Sequence, residues 1–227
     1  MMHRTQSQRG VTLVELMIVI TLVAALTTGM MMAMRIGINT LEKTETRLEE
    51  NRRTMAVQQL ITRQIGGVMP VLADCNGLRA AFNGTPNTMH LVTTHSWAEG
   101  ARGYPRVVEY RVLAQPGGGV RLMLSESVYY GPASTAQLCP GNSAPAASAS
   151  TIELAANLEY CRFVYHEALQ SLDAGAWSPV WDRPNLPSAV RVEMASRESN
   201  ASRLPMATLH IPIHVNRDVL AFYADQQ

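Results

Sequence analysis

The sequence predicts an α+β fold: one long amino-terminal helix, membrane-spanning in its first half, packs on a mainly antiparallel β-sheet. Two observations support this prediction. Residues 11–34 are apolar except for a few threonines and one charged side chain, that of Glu15, and a helical repeat continues beyond them. From residue 87 onward, alternating apolar segments separated by turn residues indicate strands.

The apolar segment is long enough to cross a membrane. Its 24 residues, at about 1.5 Å each, reach about 36 Å, which exceeds a hydrocarbon core of about 30 Å. Arg4 and Arg9 precede it and no acid does, so the positive-inside rule places the amino terminus in the cytoplasm. An acid inside a membrane span costs at least about 2.5 kcal/mol on insertion scales, so Glu15 is expected to be functional.

A specific motif lies at the start of this span: basic residues, then Gly10, then an apolar run in which Glu15 is the only charge. The motif resembles the type III signal of type IV prepilins and type II secretion pseudopilins. The resemblance implies that a prepilin peptidase cuts between Gly10 and Val11 and methylates the new amino terminus on Val11. It also implies that Glu15, fifth in the mature chain, pairs with the terminal amine of a neighbouring subunit during filament assembly. The family usually has Phe where this chain has Val11, although other apolar residues are tolerated there.

The alternative for the same segment is an ordinary secretory signal peptide or a plain signal anchor. The apolar run is longer than the roughly 7–15 residues of a secretory h-region, and Glu15 lies inside it. Ala24 and Ala25 offer only a weak small-residue cleavage site. These features favour the prepilin signal.

The helical repeat does not stop at the end of the apolar segment. Leu41, Leu48 and Met55 recur every seven residues with charges on the other faces. We therefore predict a single helix over residues 11–63 or slightly beyond, about 80 Å long, which ends at the glycine pair that begins with Gly66.

The predicted organisation has four parts. They are a prepilin leader (1–10), the transmembrane half of the helix (11–34), its periplasmic half (35–67) and a β-rich globular domain (68–227).

Strands are predicted at residues 87–93, 106–113, 120–130, 158–165, 189–195 and 208–215. The glycines at 117–119 indicate a hairpin turn between the second and third of these strands. Residues 131–150, rich in Ala, Pro, Ser and Gly, are expected to form a long surface loop. The order in which the strands pair is left open.

Three cysteines lie on the predicted exported side, where disulfides persist. Cys161 lies in a segment whose side chains alternate between two faces as in a strand, so it is expected to be a small core residue. Cys75 and Cys139 lie in predicted loops. We therefore predict a structural disulfide between Cys75 and Cys139 and a free thiol at Cys161.

Composition and spacing give no indication of a metal, a cofactor or nucleic acid. The chain has 19 basic and 18 acidic side chains, and removal of Arg4 and Arg9 with the leader leaves 17 basic ones, a balance of −1 with no electrostatic footprint for nucleic acid. His210 and His214 would share a strand face, but about 13 Å apart, too far to share an ion. Asp173 does not form a calcium loop with the nearby Asp182.

Nothing in the sequence predicts catalysis. Residues 125–127, Ser-Glu-Ser, lack the Gly-x-Ser-x-Gly turn of a serine nucleophile. Trp177 and Trp181 are expected to pack in the core or at a sheet edge. The chain is therefore expected not to be an enzyme.

A second resemblance covers the distal part of the chain. A segment with Trp177 and Trp181, followed by Leu-Pro-Ser-Ala-Val at 186–190, is similar to J-type minor pseudopilins of type II secretion, and W-type minor pilins share parts of the pattern. The J-type resemblance implies a single-pass inner-membrane subunit, near the tip of a pseudopilus, that primes assembly or contacts exported cargo. Its implied partners are minor and major pseudopilins or pilins, the prepilin peptidase and the inner-membrane assembly platform.

Two alternatives remain at this point. One is a minor pilin of a type IV pilus, serving assembly, adhesion, motility or DNA uptake. The other, of a different class, is a signal-anchored periplasmic enzyme. Only the filament hypotheses require Glu15.

Overall fold

The computed structural model describes residues 12–100, 103–139, 141, 149–167, 175–197 and 204–215. The chain divides into two compact units, Met1–Glu50 and Asn51–Gln227. Helix α1 extends over Leu13–Gly66, so its last sixteen residues belong to the second unit. A long apolar helix followed by antiparallel strands confirms the predicted α+β, pilin-like architecture.

The strands are β1 (Ala73–Cys75), β2 (Leu78–Ala80), β3 (Asn83–Gly84), β4 (Thr88–Thr93), β5 (Arg106–Ala114), β6 (Val120–Val128), β7 (Ser150–His166), β8 (Trp177–Ser178), β9 (Ala189–Ser196) and β10 (Leu209–Pro212). A 3₁₀ helix, Pro132–Leu138, lies between β6 and β7. The main sheet has the order β10-β9-β7-β6-β5-β4-β3, with β8 also on β7, and β1 and β2 form a separate hairpin. All of these pairings are antiparallel.

Helix α1 ends at Gly66, the first residue of the glycine pair, as predicted. The Gly67 N–H donates to the carbonyl of Arg63 at 2.9 Å. A β-carbon on Gly67 would lie 2.9 Å from that carbonyl oxygen and 2.7 Å from the His95 ring, so this position has room only for glycine. The start of the predicted helix, at Val11, lies outside the described residues.

All six predicted strands are present, with shifted ends. The last one is shorter than predicted, because only Leu209–Pro212 pairs with β9. The largest difference is in β7, which begins at residue 150 rather than 158. Asn157 has a positive φ of 53°, and the pairing with β6 shifts register nearby. This bulge interrupts the alternation from which strands are predicted.

The predicted loop over residues 131–150 is only partly confirmed. Pro132–Leu138 forms the 3₁₀ helix, and Ser150 already belongs to β7. Residues 140 and 142–148 lie outside the described part of the chain.

The main core lies between one sheet face and the last turns of α1. The helix buries Val57, Ile61, Gln64 and Ile65, whose spacing places them on one side. The three apolar ones pack with side chains from β4, β5, β6, β7, β9 and β10, among them Leu91, Val108, Tyr110, Phe163, Tyr165 and Ile211.

A smaller core lies on the opposite sheet face. Val92 and Val107 alternate with residues of the main core and pack instead with Ala73 and Leu138. The β1–β2 hairpin and the 3₁₀ helix therefore cover this part of the outer face. The bridge between Cys75 and Cys139 ties these two segments together.

Candidate functional site

The first described residues show how the helix begins. The side-chain Oγ1 of Thr12, which immediately precedes α1, accepts a hydrogen bond from the backbone N–H of Glu15 at 3.3 Å. Thr12 thus occupies the position of an N-cap, and Glu15 lies three residues later, the spacing of a capping box. Gly10 and Val11, the predicted cleavage and methylation positions, lie outside the described residues.

In the first turn of the helix, the Glu15 carboxylate gains free energy from the helix dipole but loses free energy through burial of its charge in the membrane. An acid in the first helical turn gains about 0.3–1 kcal/mol from the helix dipole. Burial of a charged side chain within a membrane costs about 2.5–3.5 kcal/mol on insertion scales. Within the described part of the chain, the Glu15 carboxylate has no side-chain partner. The helix start alone therefore does not offset this cost.

The described part of the first unit, residues 12–50, has no packed core. Every residue from 12 to 49 is exposed, and α1 is long and apolar enough to cross a membrane by length and composition. No charged residue lies between Glu15 and Arg35. The hydroxyls of Thr21, Thr27 and Thr28 donate to backbone carbonyls within the helix, at 2.7–3.0 Å, so they need no water in a bilayer.

The main core of the second unit contains a buried polar network that the sequence did not predict. The carboxylate of Glu126, 3% exposed, accepts hydrogen bonds from Gln64 on α1, from the Ser96 hydroxyl and from the Trp97 backbone N–H. Tyr110 donates to the amide oxygen of Gln64. Burial, together with the nearby charge of Glu126, raises the pKa of Tyr110. The network joins α1, β5, β6 and the segment after β4.

A second buried acid lies on the outer face, where Glu109 on β5 faces His90 on β4. The His90 Nε2 is 3.4 Å from the Glu109 carboxylate, and Arg111 donates to the same carboxylate. Burial alone would raise the pKa of Glu109, but the hydrogen bonds and charges of His90 and Arg111 outweigh this effect and hold the pKa below its usual value. Glu109 is therefore an ion-pair member rather than a proton donor.

Both tryptophans of the distal segment make packing contacts with other residues of the folded chain. Trp181 is buried, and its Nε1 donates to the carbonyl of Asn185 at 2.8 Å. Trp177 lies beside the His166 ring, with centroids 4.8 Å apart, and under the Arg191 guanidinium at 4.5 Å. Its ring also meets the edge of His210. These contacts show that Trp177 packs on the outer face of the sheet.

The structure separates the Ser-Glu-Ser group and assembles no metal site in the residues it describes. Ser125 pairs with Thr151 on the outer face at 2.9 Å, whereas Glu126 points into the core, so they cannot act together. Among the described residues, no three His, Cys, Asp or Glu side chains form a group that could hold a metal. His214 is exposed, and Asp173 lies outside the described residues.

The cysteines divide as the sequence predicts. Cys75 and Cys139 form a disulfide with Cα atoms 5.4 Å apart, and Cys161 is free and buried. Burial raises the pKa of the Cys161 thiol to about 12. At neutral pH it is therefore an unreactive core side chain.

Comparison with known proteins supports the amino-terminal motif. A family model described as the prokaryotic N-terminal methylation motif matches residues 5–31, which include the last six residues of the predicted leader, up to Gly10, and also Val11 and Glu15. No curated protein matches the chain. The chain thus carries the signal of type IV pilins and pseudopilins, consistent with a pilin-like family. Its single apolar amino-terminal helix and this motif fit a membrane-anchored protein.

Proposed function

We propose that the chain is a structural, non-enzymatic minor pseudopilin of a type II secretion system. It assembles near the tip of a periplasmic pseudopilus with other minor and major pseudopilins. The observation that carries the proposal is Glu15: it is the only charge before Arg35 in an exposed apolar helix, and no described side chain neutralises it. The terminal amine of a neighbouring subunit supplies the missing partner.

The amino-terminal motif gives the chain a location and a processing route. The leader stays in the cytoplasm, the prepilin peptidase cuts between Gly10 and Val11, and the span holds the chain in the inner membrane. The β-rich domain then lies in the periplasm. The disulfide between Cys75 and Cys139 supports this side of the membrane, because disulfides persist in that compartment.

The choice of type II secretion over a type IV pilus rests on the distal resemblance. The segment with Trp177 and Trp181 precedes β9, and its two tryptophans pack against the sheet. Deletion of the gene should stop release of exported enzymes into the medium and leave surface pili intact. Loss of pili with normal secretion would instead identify a minor pilin.

The assembly role of Glu15 has its own test. Glu15→Leu should insert and be processed as well as the parent, because it removes a charge from the membrane, yet it should crosslink poorly to companion subunits and reduce secretion. Glu15→Asp should be intermediate, because its reach is one methylene shorter. Crosslinking from membranes and secretion are measured together with processing in each strain. Normal crosslinking and secretion in Glu15→Leu would overturn the assembly role.

A further inference from the structure

The two edges of the main sheet differ. At one edge, the backbones of Gly84 on β3 and of Trp181 exchange two hydrogen bonds, of 3.0 and 2.8 Å, so β3 is covered. At the other edge, β10 pairs with β9 on one side, and within the described part of the chain no strand pairs with its other side. An uncovered edge strand presents its backbone groups to any segment that can reach it.

The register shows which backbone groups of β10 face this open edge. The Ile213 N–H donates to the carbonyl of Ser188 on the β9 side at 2.9 Å. By antiparallel alternation, the backbone groups of His210, Pro212 and His214 therefore face away from β9. Pro212 has no N–H, which is tolerated at a sheet edge. Both histidines can donate and accept, and the Pro212 carbonyl can accept, so this edge can pair with one further antiparallel strand.

A groove lies along α1 beside the open edge. Its volume is about 310 Å³, and its lining residues are Met55, Gln58, Gln59, Thr62, Arg63 and Leu209. Met55 is 45% exposed. Leu209 and Ile211 on β10 point to the side of the sheet that carries α1, because both pack with the main core. A strand added to β10 would project every second side chain toward the same side.

The sequence that follows β10 has the composition of such a strand. Residues 218–225, which lie outside the described part of the chain, are Asp-Val-Leu-Ala-Phe-Tyr-Ala-Asp. Four large apolar side chains thus lie between two acids, and valine, phenylalanine and tyrosine favour strands. Residues 51–66 of α1 contain Arg52, Arg53 and Arg63 and no acid, and all three arginines are exposed. The two segments are therefore complementary in charge.

A short connection is enough to bring this segment back along β10. The side-chain alternation of β10 continues to Val215, which is partly buried against the main core. A four-residue connection over 215–218 would pair His214 with residue 219, and connections of this length are common in hairpins. Asn216 and Asp218 both tolerate the left-handed conformation that such reversals need. From residue 219, five extended steps of about 3.3 Å reach the level of Leu209.

We propose that residues 219–224 form an additional antiparallel strand on the open edge of β10 and close the groove along α1. In this register Ala224 lies opposite Leu209, and Phe222 lies opposite Ile211. Phe222 is then diagonal to Leu209 and packs over the groove. The segment covers both the backbone edge and the groove, so the edge is not left to pair with another chain.

Disulfide formation within one full-length chain in detergent tests the register. Leu209→Cys with Ala224→Cys should form a bond on mild oxidation, because opposed residues of a non-hydrogen-bonded pair have Cα atoms about 4.5 Å apart, within disulfide range. Leu209→Cys with Ala221→Cys is the matched control. Residue 221 lies about 10 Å along the strand and on its other face, so this bond should form at least about tenfold more slowly. Background is low because Cys161 is buried and the other two cysteines are bridged.

Access to the groove gives a second measurement. A thiol introduced by Gln59→Cys should react slowly with a maleimide, and the further change Phe222→Ser should speed the reaction at least about fivefold, because it uncovers the groove. Arg53→Cys is the matched control, since Arg53 is exposed and lies about 120° from Gln59 around the helix. Phe222→Ser should leave the labelling rate of this control unchanged.

Several results would contradict the added strand. Absence of the bond between positions 209 and 224, equal bond formation by Ala221→Cys, or a Gln59→Cys labelling rate that Phe222→Ser does not change overturns it. A bond that joins two chains, seen as a dimer on a non-reducing gel, also overturns it, because the edge is then open to a second copy. None of these results involves Glu15 or secretion, so this inference and the proposed function are tested separately.

Discussion

The side-chain amide of Gln64, in the last turn of α1, donates a hydrogen bond to the buried carboxylate of Glu126 on β6. Gln64 occupies a helix position that would otherwise bury an apolar side chain, between Ile61 and Ile65. Only one rotation of the helix brings its amide to both Glu126 and Tyr110. The polar network therefore fixes how α1 is turned on the sheet, which apolar packing alone specifies less sharply.

Replacement of Glu126 should destabilise the folded domain. Glu126→Ala leaves the donors on Gln64, Ser96 and Trp97 without their acceptor, and we expect the free energy of unfolding to fall by about 3 kcal/mol. Urea denaturation of the full chain in detergent, followed by tryptophan fluorescence, measures this. Glu153→Ala is the control, because its ion pair is exposed and should be worth less than about 1 kcal/mol. Equal effects of the two variants would contradict the network's role.

The pH dependence of stability should depend on Glu109. Its pKa is lower in the folded chain than in the unfolded one, so folding favours the ionised carboxylate. This contribution is present above the unfolded-state pKa of about 4.3 and is lost as pH falls through the lower, folded-state value. The parent should therefore lose stability more steeply than Glu109→Gln below about pH 5. Unfolding free energies from pH 3 to 7 for both proteins give the two slopes, and parallel slopes would refute the assignment.

Loss of the disulfide should weaken the β-rich unit. The bridge closes a 64-residue separation, and chain-entropy estimates for a loop of this size give about 4 kcal/mol. Cys139→Ser and Cys75→Ser should therefore be destabilised alike, as thermal unfolding of the full chain would show.

The remaining cysteine supplies an independent check on that pairing. Peptide mapping without reduction should join Cys75 to Cys139, and Cys161 should react with maleimide only after unfolding, because its thiol is buried and its pKa is about 12. Rapid labelling of Cys161 in the native chain, or a bridged Cys161, would contradict the structure.

Processing should be visible in the intact mass. Removal of residues 1–10 and addition of one methyl group to Val11 change the mass by a fixed amount. Gly10→Val should leave the full-length mass, because a side chain at that position is expected to clash in the peptidase. An unmodified terminus at Met1 in the parent, or a terminus just after Ala25, would exclude the prepilin assignment.

Sequence patterns predicted the elements that depend on local periodicity. The long helix and the six main strands follow from repeats of 3.6 and 2 residues, and the end of the helix at Gly66 follows from the glycine pair. The short strands β1, β2, β3 and β8 were not predicted, because two or three residues are too few for a repeat to be recognised. Their positions depend on contacts made only in the folded chain, such as the mutual backbone pairing of Gly84 and Trp181.

The candidate site divides in the same way. Glu15 was predictable because a single acid in an apolar span can be recognised from the sequence alone. Glu126 and Gln64 were not, although each stands at an inward position of its own repeat. A buried polar group is explained by its partner, and these two residues lie 62 positions apart. Nothing local in either segment indicates the other.

The placement of β7 within the sheet also determines when the domain can form. It pairs with β6 along its first half and with β9 along its second. Strand β9 ends at Ser196, so it is synthesised late. During synthesis, β4, β5 and β6 are made before these late partners and form only an incomplete meander until the partners arrive. Folding of the whole unit is thus delayed until nearly the entire polypeptide has arrived, while its amino-terminal helix is already made. The nascent chain needs protection from aggregation during that interval.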